Sequence, residues 1–232
     1  MSATTAATLP AASAPSSARV LFIRRTYGHV ALAILAFAAL EWLLLRWDGA
    51  RDLARGMIGG YNWLLVLLAF GVVSSFADRW ARSATSVGLQ YLGLGLFVAA
   101  EAVLFLPLLL GASSGDRDVI PIAGLLTLLL VAGLTAVVVV TRTDFSFLRG
   151  GLVVGGFLAL GAIVASILFG FTLGLGFSLL MVGFASAAIL YNTSNILRAY
   201  RTDQHVAAAL ALFGSVALLF WYVVQIVASQ RR

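Results

Sequence analysis

Two carboxylates and one run of amides and hydroxyls stand where this chain is otherwise apolar. Glu41 and Glu101 each lie inside a long hydrophobic stretch, and Tyr191-Asn192-Thr193-Ser194-Asn195 closes another. An ionised side chain at the centre of a lipid-spanning helix costs about 2.5–3.5 kcal/mol. Such a group is kept when it is protonated, paired, or turned toward water inside a bundle. Glu41 comes 12 residues after His29 and Glu101 comes 15 after Ser86, so roughly 18 and 22 Å along their helices at 1.5 Å per residue. At these similar depths the two could share a cation-attracting vestibule. Glu41 has the plainer alternative of reaching the interface beside Arg46. For Glu101, far from either end of its segment, an inward role is expected. Asn192 and Asn195 are three apart and share a helix face. Their amides can bond neighbouring helices, each worth about 0.6 kcal/mol on average. Glue and gate are both open readings of that cluster.

A second polar run, TRTDFSFL at 141–148, reads as a capped turn, with Thr141 closing one helix and Asp144 or Ser146 capping the next. His29 and His205 fall at the starts of apolar segments, and every aspartate falls between segments. There is no HExxH, GxSxG or phosphate loop. No enzyme, cofactor or metal centre is expected.

The elements that must position these residues follow from composition. Of 232 residues, 62% are hydrophobic and 10% charged, and mean hydropathy is +1.04. So few charges cannot solvate a water-soluble domain of this length, and a lipid bilayer is the expected surrounding. All 15 basic residues are arginine, which excludes a retinal Schiff base on lysine; cysteine is absent, which excludes disulfides and thiolate sites. The arginines are scattered between apolar segments, so the net charge of +6 points to lipid headgroups and not to nucleic acid.

Seven segments of near-spanning length appear at 29–45, 57–76, 86–110, 119–141, 147–169, 173–197 and 204–227. Continuous apolar runs without two-residue alternation predict helices. The fifth and sixth are divided only by GFTLG at 170–174. Gly56-x-x-x-Gly60 and Gly151-x-x-x-Gly155 have the spacing of close helix approach. Residues 1–18 are small, polar and Pro-containing, and are expected to form a disordered tail before a single domain at 19–232. With the N-terminus inside, nine arginines fall on inner segments and six on outer ones. That predicts N-inside and C-outside.

TAVVVVTRTDFSFLRGGL across the fourth–fifth junction and AAILYNTSNILRAYRTDQHVAAALALF across the sixth–seventh junction resemble the Bax inhibitor family. RRTYGHVALAI and LQYLGLGLFVAAEAVLFLPLL fit it more loosely. The resemblance implies an all-α, seven-helix membrane bundle with the last helix central, in the cytoplasmic membrane of a bacterium. It further implies a calcium or other cation leak with a pH-sensitive gate, and, for bacterial members, restraint of a membrane AAA protease. By that resemblance Tyr191, Asn192, Asn195 and Gly214 would form the gate; Glu101 and Glu41, read from their own positions, are the candidate ion pathway leading to it. In the calcium-leak members an acid stands at the position of Asn192, an aspartate stands near Gly214, and an arginine comes from the second helix. This chain has none of the three. A gate built here cannot switch by titration at Asn192.

Overall fold

The computed structural model describes residues 9–83 and 86–231. Among them are eight α-helices: α1 (Ser16–Leu44), α2 (Ala50–Ile58), α3 (Asn62–Ala81), α4 (Val87–Gly115), α5 (Val119–Thr141), α6 (Leu148–Phe169), α7 (Gly174–Arg198) and α8 (His205–Gln230). Every one except α2 is long and apolar enough to cross a membrane. The chain is an integral membrane protein.

The last helix is the core. Val206–Leu210, Leu212, Phe213, Ser215, Leu219 and Tyr222 are among its many buried residues. Helices α1, α3, α4, α5 and α7 pack directly on it. Helix α6 stands at the edge, resting mainly on α7; Ala159 is its one buried residue among those described. Leucine, valine and phenylalanine cover the outer faces of α5 and α6, as lipid-facing helices require.

Helix α2 was not foreseen. Ala50, Ala54 and Met57 are buried while Arg51, Asp52 and Arg55 are exposed, so a single turn-spaced stripe packs inward. Ala50 and Ala54 pack on Leu106 of α4. The described part of the tail also departs from the expected disorder, residues 1–8 lying outside the described residues. Ala11–Ser13 form a 3-10 turn, and the Ala11 amide donates to the Tyr200 carbonyl at 2.8 Å. Ala11 is fully buried there. Small side chains let this segment lie against the α7–α8 connection, and α1 begins at Ser16, well before its apolar stretch.

The close helix approach is not at the spaced glycines. A Cβ at Gly56 or Gly151 would meet nothing within 4 Å, and one at Gly155 would meet only the Phe184 ring. A Cβ at Gly93 of α4 would lie 2.5 Å from the Ala77 carbonyl oxygen and 2.7 Å from the Ala81 nitrogen. Ala77-x-x-x-Ala81 on α3 with Gly93 opposite is therefore the small-residue seam.

Candidate functional site

The expected gate divides into two separate features. Asn192 crosses from α7 to α8, where its Nδ2 donates to Ser215 Oγ at 2.7 Å and to the Ala211 carbonyl at 3.2 Å. Ser215 Oγ in turn donates to the Ala211 carbonyl at 3.1 Å. A neutral clamp thus pins one turn of the central helix. Gly214 does not join it. A side chain at 214 would press on Phe97, about 3.2 Å away, on a different face of α8. Asn195 ends α7 through its backbone, its carbonyl accepting from the amides of Ala199 and Tyr200. Tyr191 is half-buried near Tyr200. Ser215 is the partner that the sequence did not reveal, because a serine in an apolar helix has no signature of its own.

The adjacent hydroxyls tie the cluster to the junction at 142–147. The Phe145 amide donates to Ser194 Oγ at 3.1 Å, and Ser194 Oγ reaches Asp144 Oδ1 at 3.5 Å. Asp144 Oδ1 also accepts from the Ser146 amide at 2.9 Å, an Asx turn. These bonds, with the nearby Arg198 cation, hold the Asp144 carboxyl below its ordinary range, the Ser146 bond contributing most. Thr141 Oγ1 donates back to the Val137 carbonyl and accepts from the Thr143 amide. Arg142 then takes a left-handed conformation, φ 52°, and Arg198 donates to its carbonyl. Asp144 and Ser146 form a turn docked on α7, not a simple cap of α6. Thr193 is fully buried, and its hydroxyl lies near Tyr27 of α1, as does that of Thr135 of α5.

The two glutamates do not meet. Glu41 is buried, and both its carboxylate oxygens are sealed with no hydrogen-bond partner among the described residues. The expectation that it reaches the interface beside Arg46 is overturned, for Arg46 instead lies over the Trp42 ring at 3.9 Å. Glu41 lines an apolar cavity of about 400 Å³ between α1, α4, α5 and α8. Glu101 is also buried and lines a different cavity of about 590 Å³. That cavity runs from Trp63, Leu173 and Gly174 at one end of the bundle to Ser74, Phe97 and Gly214 in its middle. Ring pairs stand between the two cavities. Phe105 on the Glu101 side stacks on Phe220 on the Glu41 side at 5.6 Å. Phe37 meets Phe105 edge-on at 5.0 Å, and Phe97 meets Phe213 at 6.1 Å.

Toward the end of the bundle where α8 begins, His29 of α1 touches Tyr91 of α4 at 3.2 Å, and its ring lies 5.1 Å from that of His205. Among the described residues no group of three or more His, Cys, Asp or Glu could hold a metal ion.

Residues 19–232 match the family model described as inhibitor of apoptosis-promoting Bax1. A protein of Pseudomonas aeruginosa, itself named only as uncharacterized, is 33% identical over 213 residues, covering 88% of this chain and 87% of the relative.

Proposed function

This chain belongs to the Bax inhibitor family, and on that premise we propose that it is a weak cation pathway held shut by a neutral clamp. Cations, calcium or another, enter from the outer face and reach Glu101; the Asn192–Ser215 clamp and the aromatic partition stop them. The membrane is the bacterial cytoplasmic one, with the N-terminus inside. A single observation supports this most: Glu101 faces its cavity with no protein partner among the described residues, and the cavity reaches Gly214, next to the clamp residue Ser215. Calcium takes six to eight oxygens, so at this lone carboxylate it would keep most of its water. An amide at 192 has no titratable proton, and the clamp carries no acid–base control.

Cation entry into liposomes holding the purified protein tests the reading. Glu101→Gln lowers entry more than Glu41→Gln does, because the Glu41 oxygens are sealed; equal or reversed effects reject it.

The same partition favours a second reading, a non-transporting partner of another membrane complex such as an AAA quality-control protease. Phe37, Phe105 and Phe220 pack between the two carboxylates. Background flux from all variants, together with co-purification of such a complex, would select this reading.

A further inference from the structure

We infer that the Glu101 cavity binds an organic ammonium group. Its volume of about 590 Å³ lies within the roughly 300–1,000 Å³ of small-molecule sites. It extends to the bundle end where α3 begins and the α6–α7 turn lies, marked by Trp63, Leu173 and Gly174. Its only charged lining residue among those described is Glu101, which makes no hydrogen bond or ion pair there. A carboxyl placed this way can serve as the countercharge of a cation that enters the cavity.

The walls decide which cation fits. A hard divalent ion needs many oxygens. Beyond Glu101 the lining offers the Tyr222 hydroxyl and Gln225, the Ser74 hydroxyl being sealed, and Gln225 Oε1 already accepts from Ser178 Oγ at 3.0 Å. Aromatic rings dominate instead. Trp63 and Trp221 lie near-parallel at 6.1 Å, and Phe105 meets Trp221 edge-on at 4.9 Å. Phe70, Phe97, Phe177 and Tyr222 also line it. Ring faces attract alkylammonium groups, which shed water easily and ask for few hydrogen bonds. A neutral hydrophobe of the same shape would fill the space and leave the carboxylate unanswered. The Glu41 cavity lacks this chemistry because its carboxylate oxygens are closed off from it.

Benzyltrimethylammonium, titrated against the full chain in phosphatidylglycerol nanodiscs, tests the inference through tryptophan fluorescence. Saturable quenching is expected. Glu101→Gln weakens binding by about 10-fold or more, and Glu41→Gln leaves it within about 2-fold. Neopentylbenzene, the uncharged isostere, binds the wild-type protein at least about 10-fold more weakly. This last comparison stands even if Glu101→Gln does not fold. Equal binding of the isostere, unsaturable quenching, or an unchanged affinity in folded Glu101→Gln would each overturn the assignment. Repeating the titration in phosphatidylglycerol discs diluted to the same extent with phosphatidylcholine or with uncharged diacylglycerol, which lower the surface charge alike, separates two sources of the same chemistry. Weaker apparent binding with phosphatidylcholine than with diacylglycerol identifies the lipid headgroup as occupant, equal binding identifies a free amine, and both support the ammonium site. Because inorganic cation flux is read separately, the site can stand while the leak fails, and the reverse.

Discussion

Asn192 is where this chain's chemistry turns on one side chain. Its amide donates two hydrogen bonds to α8 and cannot ionise. Asn192→Ala is expected to cost about 1 kcal/mol, consistent with membrane hydrogen bonds averaging about 0.6 each. Ser215→Ala should cost less, since the bond to the Ala211 carbonyl survives. Thermal unfolding in detergent measures both, and a proton-linked transition abolished by Asn192→Ala would contradict the neutral clamp. Asp144 gives the pH prediction for the junction. Its folded pKa is depressed, chiefly by the Ser146 amide. Its contribution is therefore complete above the ordinary aspartate range near pH ~3.9. It disappears only as pH falls further, through the depressed value. The protection factor of the Ser146 amide, its exchange rate relative to the intrinsic rate at each pH, should hold down to pH 5 and fall only in stronger acid. A fall already between pH 7 and 5 would reject the assignment.

Among the elements, the α3–α4 seam is the most sharply specified contact. Gly93 admits the backbone of Ala77 and Ala81 so closely that a methyl group must push the helices apart. Gly93→Ala should destabilise by about 1–3 kcal/mol, the usual cost of overpacking. Gly95→Ala is the matched control. A Cβ there meets nothing within 4 Å, and the exchange should be neutral or stabilising by up to ~1 kcal/mol. Chemical unfolding in mixed micelles compares the two; equal losses would sink the seam. The sequence offered the wrong glycines here. Spacing along one helix is legible, but whether another backbone approaches depends on helix rotation. For the same reason the separation of Glu41 from Glu101 by Phe105 and Phe220 was not readable.

Across the whole molecule, seven spans would put the two termini on opposite sides. The arginine asymmetry predicts an inner N-terminus, and the cysteine-free chain makes that measurable without background. Ser114→Cys and Ser146→Cys are both exposed, beyond opposite ends of the apolar core. A membrane-impermeant maleimide should label position 114 in intact cells, and position 146 only after permeabilisation. The reverse pattern would invert the topology and place the Trp63 end of the Glu101 cavity on the inner side.

Composition and run length alone determined lipid as the solvent, the helical class and the seven spans, because hydrocarbon forces each segment to satisfy its own backbone. Local residue types also made the polar turn at 141–148 visible. Only the tertiary structure decided that Asn192 meets Ser215 and not position 214, that the glutamates occupy two cavities, and that part of the N-terminal segment is docked. Those facts depend on how each helix is turned about its axis. In a helix apolar on nearly every face, no hydrophobic stripe encodes that rotation. It is fixed instead by the fit of rings, glycines and single polar atoms brought together from distant parts of the chain.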